Sequence, residues 1–325
     1  MKGKIVSFEI PRWIGVLGLV FLLSALGAWA GEATQKESRR IGGEVNCPPV
    51  WPRRFRLNMR YDFSATGDTS KVMVTFLIPQ SLDRRQKVRS IDYSTKPDKV
   101  FNANGNRYAQ FVFDRPKGKY RIEVKALVDT YRYDLTMAKC ADERQKRPEK
   151  SELKEYLVSE RLIDGDYDKI ILTAALLNAE DETETIKNTF DFVLEHLKYA
   201  GYLRDDQGAI KTFESGRGDC TDYTDLFVAL CRANGIPARH VQGFLAFSVD
   251  TLKHSWAEAY TEKFGWVPFD VLQTDLKHQA YRFDMMKNRN IYLSHIRNDP
   301  TLLGKYTLWY YKYWGDPVKV VDTYA

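Results

Sequence analysis

Between residues 54 and 133 hydrophobic and polar side chains alternate with a period of two, or run in short apolar stretches. The segments RFRLNMRYDF, KVMVTFLIP, KVRSIDYS, RYAQFVFD and YRIEVKALVDTYRY are rich in Val, Ile, Tyr and Phe. Turn-forming residues part them at Thr66-Gly67-Asp68, Pro97-Asp98, Asn104-Gly105-Asn106 and Pro116-Lys117-Gly118. Short alternating runs at this spacing predict antiparallel strands, and together a β-sandwich over residues 45–140. A charged stretch carrying Pro148 follows, CADERQKRPEKSELKE, and reads as a linker over 141–158. Beyond it the period changes to about 3.6. LKEYLVSERLI, YDKIILTAALLNA and TIKNTFDFVLEHLKYA each place apolar residues at i, i+3, i+4 and i+7, which predicts three helices opening a second domain over 159–325. Its aromatic tail, LWYYKYWGD, is expected to pack on the core.

Residues 1–30 fit neither period. Lys2, Lys4 and Arg12 precede an uncharged run from Trp13 to Ala30 that closes on Ala28-Trp29-Ala30. A basic head, an apolar centre and small residues at the end predict a signal peptide cleaved after Ala30, and hence an exported, periplasmic or secreted protein. The rival is an uncleaved anchor, since the run would just span a hydrocarbon core of about 30 Å as a helix. A membrane partner is expected in that case alone.

Composition narrows the classes further. With 325 residues, 44% of them apolar and 13% aromatic, the chain is neither disordered nor a multi-pass membrane protein, and its core needs no metal or disulfide staple. The formal charge of +6 is too mild for a nucleic-acid binder, and no basic stripe interleaves with aromatics. Four cysteines are too few for a disulfide scaffold. Cys47 and Cys140 flank the β domain and could pair in an oxidising compartment, a closure worth about 4 to 5 kcal/mol, or remain two thiols. Connectivity stays open at this point.

Candidate chemistry is concentrated between Gly216 and Val271, in GRGDCTDYTDLFVALCRANGIPARHVQGF and HSWAEAYTEKFGWVPFDV. Asp219 is a candidate N-cap with Asp222 in the first turn, and the stripe Tyr223, Phe227, Leu230, Cys231 predicts a helix ending at Asn234-Gly235. Cys220 therefore belongs to the first turn, where the helix dipole and free N–H groups favour a thiolate and can face an oxyanion. Asp219 opposes this as a like charge, so a neighbouring imidazolium is required. His254 opens the strand HSWAEAY and Asp270 ends the strand GWVPFD; adjacent antiparallel strands can hold an imidazole and a carboxylate side by side. Cys231, eleven positions on and about 16 Å up the helix, is expected to be a small buried residue. His240 is expected to be a strand residue with a local hydrogen bond, and Arg239 a partner in a salt bridge. His196, His278 and His295 suggest no metal site.

These residues resemble the transglutaminase-like superfamily of papain-like cysteine enzymes. The likeness rests on Gly218-Asp219-Cys220 with Tyr223 and Leu226-Phe227, Gly235-Ile236-Pro237-Ala238-Arg239, His254-Ser255-Trp256-Ala257-Glu258, and Gly265-Trp266-Val267-Pro268-Phe269-Asp270. It implies an α+β protein, an N-terminal antiparallel β-sandwich followed by a papain-like transglutaminase core of helices packed on an antiparallel sheet. It also implies Cys220 as nucleophile, His254 as general base and acid, Asp270 as the group orienting the imidazole, and no cofactor or metal. Tyr199 and Tyr202 are candidates for a second oxyanion donor. The last strand continues through Asp270-Val271-Leu272 where many members have Asp-Pro-Thr. The expected function is an extracytoplasmic amide hydrolase or acyltransferase acting through a thioester on peptide, protein or cell-wall peptide substrates, with hydrolysis favoured. The alternative is a catalytically idle binding or structural module of the same fold.

Overall fold

The computed structural model describes residues 51–82, 84–135, 147–246, 251–277 and 282–325. The apolar N-terminal segment, Cys47, Cys140, His278 and residues 141–146 of the charged linker lie outside them. The N-terminal strands are β1 (Arg53–Ala65), β2 (Lys71–Leu77), β3 (Gln86–Tyr93), β4 (Lys99–Ala103), β5 (Asn106–Asp114) and β6 (Gly118–Thr130), then a two-residue β7 (Tyr133–Asp134). Helices α1 (Lys150–Leu153), α2 (Asp168–Leu177) and α3 (Glu182–His196) follow, then β8 (Lys198–Tyr199), α4 (Gly208–Ser215), β9 (Arg217–Gly218) and α5 (Cys220–Ala233). The chain continues through β10 (Ala238–Ala246), β11 (Thr251–Thr261), β12 (Gly265–Phe269), α6 (Val271–Lys277), β13 (Met285–Met286), β14 (Asn290–Ser294), β15 (Trp309–Trp314) and β16 (Val320–Tyr324).

The protein is α+β, as the periodicities predict. Two four-stranded antiparallel sheets, ordered β16-β1-β6-β3 and β15-β2-β5-β4, form the sandwich. Alternation explains the packing: Leu57, Met59, Tyr61 and Phe63 of β1 point inward toward Val72, Val74 and Phe76 of β2, and the Tyr61 and Phe76 rings stack 4.4 Å apart. A third antiparallel sheet, β12-β11-β10-β14, carries α5 against β11 and β10. Its other side belongs to the sandwich core, for Phe244, Ile291 and Leu293 cluster with Tyr61 and Phe76.

Three expectations are corrected. The aromatic tail does not stay with the second domain: β15 pairs with β2 and β16 with β1, so the C-terminus supplies an edge strand to each sheet of the sandwich. LKEYLVSERLI does not form a helix. It makes a 3-10 turn at Lys154–Tyr156 and then irregular chain, because Arg232 Nη1 takes the Val158 carbonyl at 2.7 Å and Leu162 has a positive φ of 72°. The last strand stops at Phe269, and Val271 begins α6 rather than extending β12.

The sandwich docks through the Asn104-Gly105-Asn106 turn. Asn106 Nδ2 donates to Ser294 Oγ at 2.8 Å, Asn106 Oδ1 accepts from the His295 N–H at 3.3 Å, and Tyr108 donates to the Asp299 carboxylate. Gly105 has φ 73°, and a Cβ there would stand 2.6 Å from the His295 ring, so only glycine permits this approach. Because Leu293 is fully buried in the shared core, Leu293→Ala should cost about 2 to 5 kcal/mol. Urea unfolding followed by tryptophan fluorescence and by far-UV dichroism should show one lowered midpoint in both signals; a midpoint that fell in one signal alone would contradict a shared core.

Candidate active site

The start of α5 is built by its carboxylates. Asp219 Oδ1 accepts from the Thr221 N–H at 2.9 Å, Asp219 also caps the Asp222 N–H, and Asp222 Oδ2 accepts from the Asp219 N–H at 3.0 Å. This reciprocal box is the cap that Asp219 and Asp222 predict. A Cβ on Gly218 would lie 2.4 Å from the Asp222 Cβ, so glycine is required for the box to close. Cys220 is the first helical residue and half-buried. Since the Thr221 and Asp222 N–H groups are committed to Asp219, the Cys220 N–H is the one left at the helix start to face an oxyanion, narrower than the set of donors expected from a bare helix terminus.

Strand pairing brings the other two groups to the sulfur. His254 lies on β11 opposite Gly243, and Asp270 follows β12, whose Phe269 pairs with Ala257. His254 Nε2 is 2.8 Å from Asp270 Oδ2, and Cys220 lies close enough to the imidazole to help raise its pKa. Nε2 being engaged by Asp270, Nδ1 is the nitrogen available to the sulfur. Asp270 is itself held: Oδ2 accepts from Asn290 Nδ2 at 3.2 Å and Oδ1 from the Gln273 N–H at 3.2 Å, so it caps α6 while it orients the imidazole. Burial disfavours the imidazolium, but the Asp270 charge, its hydrogen bond and Cys220 outweigh that cost and push the His254 pKa up to about 10.

Other expected residues separate clearly. Tyr199 pairs with Gly218 across β8 and β9; burial raises its pKa, as do the charges of Cys220 and Asp219, which places it within electrostatic reach of the sulfur. Tyr202 is 88% exposed, and no described residue hydrogen-bonds it. Cys231 is buried in the α5 core. Arg239 donates from Nε to Glu258 at 2.7 Å and lies 4.0 Å from the Trp266 ring centre, the salt bridge expected of it. His196 Nε2 meets the Phe213 carbonyl at 2.7 Å, and His295 meets the Tyr292 hydroxyl. Among the described residues no cluster of three His, Cys, Asp or Glu side chains could hold a metal.

Periodicity gave no hint of a second polar chain beside Cys220, His254 and Asp270. His240 Nδ1 donates to Asp225 Oδ1 at 2.7 Å, and Asp225, fully buried inside α5, also accepts from Arg297 at 2.9 and 3.1 Å. The other imidazole nitrogen, Nε2, lies 3.1 Å from the Tyr306 hydroxyl. Burial works against the Asp225 charge, but Arg297 and His240 more than offset it and hold the carboxyl below its ordinary pKa. Burial lowers the His240 pKa, with Arg297 adding to the effect against the pull of Asp225. The available signal was an acidic residue inside the apolar run TDLFVALC, which must find a buried partner. A cleft of about 640 Å³ opens on the far side of His240, with Arg239, Trp266, Tyr156 and Arg297 among its walls and Cys220 outside them.

The raised His254 pKa has a definite sign. The charged pair with Asp270 adds its full stability below pH 6.5, where the unfolded imidazole is also protonated, and loses it as pH rises through about 10. Nitrogen-15 NMR of the imidazole should therefore show His254 protonated at pH 8 and titrating near 10, whereas in Asp270→Asn burial should prevail and the titration should fall well below the parent's. Coincident titrations in the two proteins would refute the assignment of Asp270 as the dominant partner.

Residues 172–271 match the Transglutaminase-like superfamily core. An alignment 76 residues long is 34% identical to an uncharacterized protein of Haemophilus influenzae, covering 17% of this chain and only 21% of that relative's length. A solved structure from Cytophaga hutchinsonii, described as a candidate cysteine protease, is 18% identical over 84% of this chain and 91% of its own, with a TM-score of 0.57, a likeness of fold. The periplasmic domain of TgpA from Pseudomonas aeruginosa is 15% identical over 73% of this chain and 80% of its own, at a TM-score of 0.38. With α5, the antiparallel sheet and the Cys220, His254 and Asp270 positions all in or beside the matched stretch, the chain carries a core domain of the Transglutaminase-like superfamily.

Proposed function

We propose that the chain is an extracytoplasmic cysteine enzyme that hydrolyses amide bonds of peptide, protein or cell-wall peptide substrates through a Cys220 thioester. The observation that carries this reading is a sulfur at a helix start, electrostatically coupled to an imidazole whose Nε2 is held 2.8 Å from a buried carboxylate. The raised His254 pKa supports an imidazolium at neutral pH, the partner that a thiolate beside Asp219 needs. Attack of that thiolate on the carbonyl carbon forms a C–S bond while the Cys220 N–H faces the oxyanion. As the C–N bond breaks, His254 gives its Nδ1 proton to the leaving amine. It then takes a proton from water, whose oxygen attacks the thioester, and the acid product leaves as the thiolate and imidazolium are restored.

Hydrolysis is favoured over amine transfer because water surrounds an exported enzyme at high concentration, and transfer requires a cleft that excludes it. Export rests on the basic, apolar and small-residue pattern of residues 1–30. Among the described residues no helix is long and apolar enough to cross a membrane.

Mass spectrometry of a peptide and cell-wall fragment library, incubated with the protein and a primary amine, tests the reading. Cleaved bonds should each gain one water, and Cys220→Ala should reduce that product by a factor on the order of 10³ or more. Amine incorporation with loss of ammonia would replace hydrolysis by transfer. Identical product yields from Cys220→Ala and the parent would leave the protein a binding module.

A further inference from the structure

Tyr306 lies in the segment between Leu302 and Leu308, both buried in the sandwich core, yet its hydroxyl reaches the catalytic sheet. It makes two hydrogen bonds there, with His240 Nε2 at 3.1 Å and with Ser255 Oγ, and the Thr221 side chain lies close enough to it to influence its ionisation. Ser255 follows His254 in the chain and Thr221 follows Cys220. Both are buried, as is His240. One phenol oxygen thus bonds the neighbour of the base and an imidazole that is itself bonded to Asp225 of α5, with the neighbour of the nucleophile close by.

Directions of donation follow from the partners. His240 Nδ1 serves Asp225, and the lowered pKa of His240 keeps its ring neutral, so Nε2 carries a lone pair and accepts the Tyr306 proton. The phenol oxygen then accepts from the Ser255 hydroxyl. Burial raises the Tyr306 pKa, as does the charge of Cys220, so the phenol remains protonated. Its ring is fixed as well as its hydroxyl, for the Arg297 guanidinium lies 4.2 Å from the ring centre while it pairs with Asp225. The charged and titratable groups facing it are therefore Arg297, Asp225, His240 and Cys220.

We infer that Tyr306 is a positioning residue, a bridge delivered from the sandwich side that fixes α5 and the His254 end of β11 at one separation, and so holds the Cys220 sulfur against the His254 imidazole. It acts through Ser255 on β11 and through His240 and Asp225 on the α5 side, and does not touch the reacting atoms. Its link to activity rests on the thioester reading above, but the geometry it maintains can be tested without a substrate.

The test uses the full chain, with the conservative variant Tyr306→Phe, which keeps the ring over Arg297 and removes only the hydroxyl. Iodoacetamide labelling of Cys220 is followed by mass spectrometry at pH 6 and pH 8.5, with cooperative thermal melting as the check of folding. Loss of the bridge should slow labelling at pH 6 by about five- to tenfold, with a smaller loss at pH 8.5, because a looser imidazolium stabilises the thiolate less. A residue that merely supported the fold would lower the melting temperature and leave that ratio unchanged. A folded Tyr306→Phe protein with the parent's rates at both pH values would overturn the inference. Should Tyr306→Phe not fold, Ser255→Ala cuts the bridge on the His254 side alone and carries the same expectation. A parent Cys220 no faster than a model thiol would instead defeat the nucleophile reading. The bridge is then judged by the His254 imidazole NMR signal, which must shift in the variant if Tyr306 positions it and would refute the bridge if it did not.

Discussion

A carboxylate buried in the middle of α5, the helix that starts at Cys220, constrains everything around it. Asp225 is fully enclosed, and an uncompensated charge there would cost several kcal/mol, so its partners are not optional. Arg297 comes from the segment after β14 and His240 from β10, and both must reach the same two oxygens. Satisfying Asp225 therefore fixes α5 to the sheet and to the chain that leaves for the sandwich. Breaking any one of these bonds leaves a buried charge or a buried imidazole without its partner, which resists slippage of α5 along the sheet more strongly than apolar packing of Leu226, Phe227 and Leu230 alone would.

That constraint explains why the C-terminal residues sit where they do. After Arg297 the chain makes a single 3-10 turn, Pro300–Leu302, capped by Asp299, whose carboxylate also receives the Tyr108 hydroxyl of β5. It then passes Tyr306 and enters the sandwich as β15 and β16. The sandwich and the transglutaminase-like core are thus joined by the chain's return as well as by the connection through residues 141–158, and a residue that lies late in the sequence bonds His240 of β10 and Ser255 of β11 beside the helix that bears Cys220.

The elements legible in the sequence were those set by local rules. Alternation located β1, β2, β3, β5 and β6, and the Asp219, Asp222 and Gly218 pattern located the start of α5 to the residue. What was not legible depends on partners remote in sequence. WYYKYW reads as an aromatic stripe because nothing local says that Thr75 and Val74 of β2 will pair with Tyr310 and Tyr311. LKEYLVSERLI carries a helical period, but Arg232, over seventy positions away, claims the Val158 carbonyl that a helix would use. Of the site, Cys220, His254 and Asp270 were legible because their flanking residues form a known pattern, whereas Tyr306 and Arg297 have no such flank and are identified by geometry alone.

The electrostatics of the Cys220 end also follow from these placements. The cap that starts α5 is made of two carboxylates, Asp219 and Asp222, and both lie beside the sulfur's residue. Helix formation and thiolate formation are therefore opposed in the same turn: the residues that satisfy the first N–H groups consume those donors and place negative charge near Cys220. An apolar or neutral cap would ease the charge but give up the box that closes over Gly218. The structure resolves the conflict from the other side, by pairing His254 with Asp270, whose charge and hydrogen bond outweigh the cost of burial and favour the charged imidazole over a wide pH range. A cationic imidazole is useful there only while it stays on the sulfur, so the strength of the cap makes the alignment of β11 with α5 more consequential than it would be at a helix start with free donors.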